Sequence, residues 1–164
     1  MGQVVSPSEL LSRRGEWKRN GVVVVCVAGH FDLLHPGHIR LLEQSRALGG
    51  VLVVGVLSET PAAGGRETRI SRPITPIAER VEVLAALAAV DYATEISGDT
   101  ARFLRALAPD VVVEGSRSES AASSVSESAK RLELDSIGCK VVRIPLEPGY
   151  STAALVSRIL QSPT

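Results

Sequence analysis

All three histidines of this 164-residue chain lie in one stretch, Gly29-His30-Phe31-Asp32-Leu33-Leu34-His35-Pro36-Gly37-His38. His35 and His38 are three residues apart, and Pro36 suits the first position of a helix, so both imidazoles should lie on one face of a first helical turn. Free backbone N–H groups and the helix dipole make such a turn an anion site, and Gly37 lets a ligand approach the backbone. The spacing therefore predicts that His35 and His38 bind phosphate.

Two other roles for these histidines fit the sequence less well. A zinc site would need a third ligand, but no histidine lies elsewhere in the chain, Cys26 is inside an apolar run and Cys139 is far along the sequence. A lone histidine near a helix start is more often a cap or a core residue, whereas two at this spacing around a glycine favour a ligand site. We expect no metal held by protein side chains.

The histidine stretch lies between an apolar run and a helical pattern, so it is the turn from a strand to a helix. In an open α/β sheet such turns lie at the carboxyl ends of the strands, where ligands bind. Strands and helices alternate along the chain, which predicts an α/β fold: a Rossmann-like, doubly wound, five-stranded parallel sheet in the order 3-2-1-4-5, with helices on both faces. The predicted strands are Val22 to Ala28, Val51 to Leu57, Tyr92 to Ile96, Asp110 to Glu114 and Lys140 to Ile144. The predicted helices are Ser8 to Asn20, Pro36 to Leu48, Pro76 to Val90, Asp99 or Thr100 to Leu107, one that ends near Gly138, and Ser151 to Leu160.

Composition narrows the class of protein. Lys+Arg and Asp+Glu both number 18, so the formal net charge is zero and a basic nucleic-acid surface is not expected. The polar start, Met1 to Asn20, lacks the apolar run of a signal peptide, and no run approaches the roughly 20 residues of a membrane helix. Cys26 and Cys139 should lie about 10 Å apart, too far for a disulfide. We expect one cytoplasmic domain, residues 1–164, in which residues 1–20 form an N-terminal helical extension.

A second candidate element is the long irregular stretch from Ser58 to Thr75. It carries Gly64-Gly65 and three arginines, Arg66, Arg69 and Arg72. A loop rich in glycine and arginine after a strand of an α/β sheet is more often functional than idle, and guanidinium groups bind phosphates well. We expect Arg69 or Arg72 to fold over a bound triphosphate.

The pattern Gly29-x-Phe31-Asp32-x-x-His35-x-Gly37-His38 resembles the signature of the cytidylyltransferase-like nucleotidyltransferases. The closest resemblance is to the heptose 1-phosphate adenylyltransferases, which make ADP-heptose. Glycerol-3-phosphate cytidylyltransferase is the alternative, but it carries an arginine where this chain has Leu146. Other segments similar to the family are Ser71-Arg72-Pro73 with Pro76, Glu79 and Arg80, then Ala89-Val90-Asp91, Asp99-Thr100, Pro109-Asp110 with Gly115, and Gly149-Tyr150-Ser151-Thr152.

The resemblance implies transfer of a nucleotidyl group from ATP, or alternatively CTP, to a phosphorylated sugar or alcohol, with release of pyrophosphate. It also implies Mg²⁺ bound mainly through the triphosphate, and a homodimer. The implied catalytic residues are His35, His38, Arg69 and Arg72. The implied nucleotide-binding residues are Gly29, His30, Phe31, Asp32, Gly37, Arg80, Gly115, Tyr150, Ser151 and Thr152, and the implied acceptor-binding residues are Asp32 and Glu114.

Glu114 departs from the family pattern, which usually has lysine at this position and in the loop after the second predicted strand. A carboxylate beside a triphosphate would repel it. The acceptor can therefore differ, or the side chain can turn away from the site, for example toward Arg117. An alternative outside the enzymes is a non-catalytic module that binds a nucleotide without converting it. The presence of both histidines argues against this alternative.

Overall fold

The computed structural model describes residues 1–58, 73–116 and 138–161. The strands form where β-branched residues run together, as expected for strands that are covered on both faces. These strands are β1 (Gln3–Val4), β2 (Val24–Gly29), β3 (Val51–Leu57), β4 (Tyr92–Ile96), β5 (Val111–Ser116) and β6 (Lys140–Pro145). The helices are α1 (Pro7–Arg19), α2 (Pro36–Arg46), α3 (Ile77–Ala85), α4 (Thr100–Leu107) and α5 (Thr152–Gln161). The predicted helix ending near Gly138 falls in 117–137, outside the described residues.

The described strands form one parallel sheet in the order β1-β4-β3-β2-β5-β6. The α/β class is confirmed, and the five predicted strands do follow one another in the predicted order, but the prediction of a five-stranded sheet is wrong. The additional strand, β1, pairs with β4 at the edge. It was missed because two residues show no alternation of apolar and polar side chains. Backbone bonds form it instead, among them Gln3 N–H to the Asp91 carbonyl (2.9 Å) and Val5 N–H to the Ala93 carbonyl (3.0 Å).

Helices cover both faces of the sheet, as predicted. On one face α2 and α3 bury aliphatic side chains, namely Leu41, Leu42, Val81, Leu84 and Ala85. On the other face α1 and α4 do the same with Leu10, Trp17, Leu104 and Leu107. Leu11, the neighbour of Leu10 on α1, is 39% exposed. The helix α1 begins slightly earlier than the predicted Ser8, because Ser6 is its N-cap and forms a reciprocal capping box with Glu9.

Two aspartates fix the register of the sheet at the amino ends of the strands. The Asp110 carboxylate accepts a hydrogen bond from Val24 N–H (2.7 Å), while the Asp110 N–H donates to the Val24 carbonyl (2.9 Å). Asp91 forms the same pair of bonds with Leu52 (2.7 and 3.1 Å). Each carboxylate also pairs with an arginine of a helix, since Arg14 lies 3.1 Å from Asp110 and Arg46 lies 3.0 Å from Asp91.

Neither cysteine forms a disulfide. Cys26 and Cys139 are buried, on β2 and just before β6, and β5 lies between these two strands, in agreement with the predicted strand order. Within the described ranges, no helix has the length and apolar character needed to cross a bilayer.

Candidate functional site

The turn from β2 to α2 has the geometry that the sequence predicted. His35 is the N-cap residue of α2, with φ −145° and ψ 164°, and Pro36 occupies the first turn. The His35 Nδ1 accepts a hydrogen bond from the His38 N–H (3.3 Å), so an imidazole takes the place that serine or aspartate usually has at a helix start. Because Nδ1 is the acceptor, a neutral His35 carries its proton on Nε2, where it can donate to a ligand.

His35 and His38 form a stacked pair at this helix start. Their ring centroids are 3.7 Å apart and the planes are inclined by 15°. The Phe31 ring meets His38 edge-on at 5.3 Å. Gly37 allows close packing, because a Cβ there would lie only 3.1 Å from His35 Nδ1 and 3.3 Å from the Tyr150 Cβ.

His38 holds little positive charge near neutral pH. Burial and the neighbouring His35 lower the pKa of His38 to about 4. Burial also lowers the pKa of His30, with Arg80 adding to the effect. The Nδ1 atoms of His30 and His38 are buried and have no hydrogen-bond partner among the described residues. Buried polar atoms without partners are uncommon, and here they mark a place for a polar ligand or water.

The turn between β6 and α5 forms the other wall of the site. The Tyr150 ring lies 6.3 Å from the His35 ring and nearly parallel to it, and the Arg40 guanidinium lies 5.8 Å from the Tyr150 centroid. Arg40 also pairs with Glu147 (2.5 Å), which joins α2 to this turn. A groove of about 440 Å³ runs along α2 beside the histidines and is lined by Leu34, His35, Pro36, Ile39, Arg40 and Glu43.

The amino end of α5 belongs to the same wall. The Ser151 hydroxyl accepts a hydrogen bond from the Ala154 N–H (3.0 Å), so Ser151 caps the helix. Thr152 is the first residue of α5, and Gly149 before it has φ +83°, a conformation that suits glycine. The sequence-predicted residues that this structure brings together are therefore Phe31, His35, Gly37, His38, Tyr150, Ser151 and Thr152.

Asp32 ties the histidine turn to the residues that follow the arginine-rich stretch. Its Oδ1 accepts hydrogen bonds from Ile74 N–H (2.8 Å) and Thr75 N–H (2.9 Å), and its backbone carbonyl accepts one from the Thr75 hydroxyl (3.3 Å). Its Oδ2 is buried without a hydrogen-bond partner in the described part of the chain. Asp32 thus orients the turn.

Arg80 lies beneath the turn and is only 3% exposed. It donates hydrogen bonds to the backbone carbonyls of Thr75 (2.8 Å), His30 (2.5 Å) and Leu57 (3.0 Å). Burial lowers the pKa of its guanidinium, while Asp32 and Glu95 counteract that effect. The structure does not expose this side chain to a phosphate, which the sequence-based interpretation had expected.

Glu114 and Gly115 end β5 at the carboxyl edge. The Glu114 carboxylate lies 3.6 Å from Arg143 on the adjacent strand, its partner in the β5–β6 register. A Cβ at Gly115 would lie 2.9 Å from Leu146, so this glycine admits the Leu146 side chain.

Several predicted residues lie outside the described ranges. They are Gly64, Gly65, Arg66, Arg69 and Arg72 in 59–72, and Arg117 in 117–137. Sequence reasoning missed Arg40 and Thr75, because their contacts depend on segments that are distant along the chain. The only local signal was that Arg40 directly follows the histidine turn on α2.

A parallel sheet with an imidazole pair at a helix start on its carboxyl edge defines a nucleotide-binding α/β protein. The family model "Cytidylyltransferase-like" matches residues 26–159. The chain therefore belongs to the cytidylyltransferase-like family of nucleotidyltransferases, which confirms the resemblance inferred from the histidine motif.

Curated relatives carry the name bifunctional protein HldE. The protein of Koribacter versatilis is 40% identical over 158 residues, which is 95% of this chain and 31% of the relative. The protein of Alkalilimnicola ehrlichii is 35% identical over 161 residues, or 98% of this chain and 32% of the relative. The chain thus spans about a third of these relatives.

A solved structure has the same fold. The lipopolysaccharide core biosynthesis protein from Thermoplasma volcanium matches with a TM-score of 0.60 and 26% identity, covering 77% of this chain and 98% of that one.

Proposed function

We propose that this domain transfers AMP from ATP to a sugar phosphate such as heptose 1-phosphate and releases pyrophosphate. The observation that carries the proposal is the stacked pair of His35 and His38 at the amino end of α2. Two imidazoles and the positive end of the helix dipole converge there, and this combination suits the crowded charge of a triphosphate.

In this mechanism a phosphate oxygen of the acceptor attacks the α-phosphorus of ATP in line, and pyrophosphate leaves. The protein positions the reactants and stabilises the developing charge, so no covalent enzyme intermediate is needed. His35 donates from Nε2, since its Nδ1 is occupied by the His38 N–H. His38 contacts the phosphates from the stacked ring, and Arg69 or Arg72 neutralises the leaving pyrophosphate.

Magnesium fits this site as an ion carried by the nucleotide. The described residues contain no cluster of three side chains able to hold a metal, but the buried Asp32 Oδ2 lacks a hydrogen-bond partner among them. A carboxylate oxygen of this kind can accept a hydrogen bond from the water of a hydrated Mg²⁺, which keeps most of its waters. When bound, the ion neutralises charge on the triphosphate.

Residues at the site support the choice of ATP, and the similar proteins support the choice of a sugar acceptor. At the position where the cytidylyltransferase alternative has an arginine, this chain has Leu146, which packs on the core next to Gly115. Tyr150 is 37% exposed between Arg40 and His35, so its ring can lie along a nucleobase. The name of the Thermoplasma protein, which refers to lipopolysaccharide core biosynthesis, favours a sugar acceptor. The resemblance of the sequence motifs favours heptose 1-phosphate as that acceptor.

The test is pyrophosphate release by the purified chain with Mg²⁺, using ATP or CTP against heptose 1-phosphate of either anomer, other sugar 1-phosphates and glycerol 3-phosphate. Release with ATP and a sugar phosphate supports the proposal. Release with CTP and glycerol 3-phosphate assigns the chain to the alternative substrate class. Nucleotide binding without release from any pair would make the domain a binding module. A His35→Ala variant prepared in parallel shows that the released pyrophosphate comes from this site.

A further inference from the structure

We infer that Arg80 is a positioning residue that orients the peptide between His30 and Phe31 so that the Phe31 N–H binds the triphosphate. The inference builds on the proposed function. Arg80 reaches three segments at once, because its bonds to the carbonyls of His30, Leu57 and Thr75 join the ends of β2 and β3 to the start of α3.

The orientation of the Phe31 N–H follows from the geometry of the peptide bond. A trans peptide is planar, and its carbonyl and its N–H point in opposite directions. Arg80 Nη1 holds the His30 carbonyl toward the interior with a bond of 2.5 Å. The N–H of the same peptide, which belongs to Phe31, must therefore point away from Arg80, toward the open side of the turn. A rotation of this peptide by half a turn would present a carbonyl to the phosphates instead.

The conformation of Phe31 shows that this turn is held against its intrinsic preference. Phe31 has φ +47°, in the left-handed region that is unfavourable for a residue with a side chain. Its ring is 6% exposed and lies edge-on to His38, so the same residue links the peptide to the histidine pair. Such a conformation persists only where surrounding contacts fix it, and Arg80 supplies the contact on the backbone side.

Arginine is suited to this position, and lysine is not equivalent. The planar guanidinium presents several N–H donors in a fixed fork, whereas an ammonium is a single centre on a flexible stem. Two nitrogens of this fork are used. Nε donates to the Thr75 carbonyl, and Nη1 donates to the carbonyls of His30 and Leu57. Loss of the fork leaves the His30 carbonyl without its buried donor and frees the peptide to rotate.

The experiment compares Arg80→Met and Arg80→Lys with a matched control, Arg14→Met. Arg14 also donates to backbone carbonyls, those of Leu107 (3.2 Å) and Ala108 (3.0 and 2.8 Å). It does so at the amino edge of the sheet, so the control removes a comparable set of bonds away from the site. The probe is inorganic pyrophosphate with Mg²⁺, and the readout is the ¹H–¹⁵N resonance of the Phe31 amide at a temperature where each variant is folded.

We expect pyrophosphate to shift the Phe31 amide in the native chain and in Arg14→Met, and to shift it much less in both Arg80 variants. Turnover measured with the active substrate pair should show kcat lower by about a hundredfold in Arg80→Met, the scale of losing one oxyanion donor. The KM for ATP should change little, and Arg80→Lys should recover only part of kcat. If Arg80 had only a structural role, Arg80→Met and Arg14→Met would both lower thermal stability. Arg80→Met would then not lower kcat selectively while leaving the KM for ATP nearly unchanged.

Two results would overturn the inference. One is a Phe31 amide that pyrophosphate does not shift in the native chain, and the other is a shift that persists in both Arg80 variants. A native chain whose Phe31 amide responds to pyrophosphate but which transfers no nucleotide to any acceptor contradicts the proposed function alone, because the amide shift judges the role of Arg80 independently of turnover.

Discussion

Mild acid should destabilise this domain through His38. Its pKa is about 4 in the folded chain, against about 6.5 for an unfolded histidine. Between these two values the unfolded chain binds a proton that the folded chain does not. The His38 contribution to stability is therefore fully present above about pH 6.5 and is lost as the pH falls toward about 4. Substitution by glutamine, which does not titrate, should remove this dependence.

The size of the effect follows from the two pKa values. Their difference corresponds to about 3 kcal/mol at most, and because solvent reaches part of the ring we expect about 1–2 kcal/mol. Urea denaturation at about pH 7.5 and about pH 4.5 measures it as the difference between the native chain and His38→Gln. The variant should lose less free energy of unfolding on acidification, by this amount.

His30 provides the control for this measurement. Burial also lowers the pKa of His30, so His38→Gln should retain part of the acid sensitivity and the double variant His30→Gln/His38→Gln should retain less. Parallel loss of stability in the native chain and in His38→Gln would refute the assignment, because it would mean that the stacked imidazole titrates in the folded state as it does in the unfolded one.

Three further outcomes are expected. His35→Ala and His38→Ala should each lower kcat by about a hundredfold, the scale of one lost oxyanion donor, with a smaller loss of ATP affinity; near-normal turnover in both would exclude the phosphate role. Isothermal calorimetry with Mg²⁺ should show tighter binding of ATP than of CTP, since Leu146 offers no cation to a cytosine nucleotide, and a preference for CTP would contradict this. Glu114→Lys should place a second cation beside Arg143 and raise affinity for the phosphorylated substrates, as measured by kcat/KM across the sugar-phosphate panel; a loss confined to one acceptor would instead identify Glu114 as its ligand.

The sequence predicted those parts of the fold whose causes are local. The apolar run around Cys26 predicted β2, and the spacing of His35, Pro36 and His38 predicted the start of α2. Tyr92–Ile96 was predicted with the observed bounds. The sequence did not predict β1, because its pairing with β4 depends on backbone hydrogen bonds to carbonyls that are distant along the chain. A strand of two residues shows no recognisable side-chain pattern.

The sequence predicted which types of residue form the site, but it predicted fewer of the contacts that these residues make. The histidine pair follows from helical geometry alone. The family resemblance implied that Arg80 binds the nucleotide, whereas the fold places its guanidinium under the turn, on three backbone carbonyls. The approach of Arg40 to Tyr150 needs α2 and the β6–α5 turn to meet, and only the tertiary structure shows that meeting.

The aspartate pairs at Val24 and Leu52 have a consequence for how such a domain can change over evolution. Asp110 and Asp91 set the strand register from the amino edge, whereas the histidines and Glu114 lie at the opposite, carboxyl edge. A substitution at the carboxyl edge can change which acceptor binds without disturbing the aspartate contacts at the amino edge that align the strands. Descendants of one ancestral sheet could therefore diversify their substrates by exchanging residues such as Glu114 one at a time, without passing through misaligned intermediates.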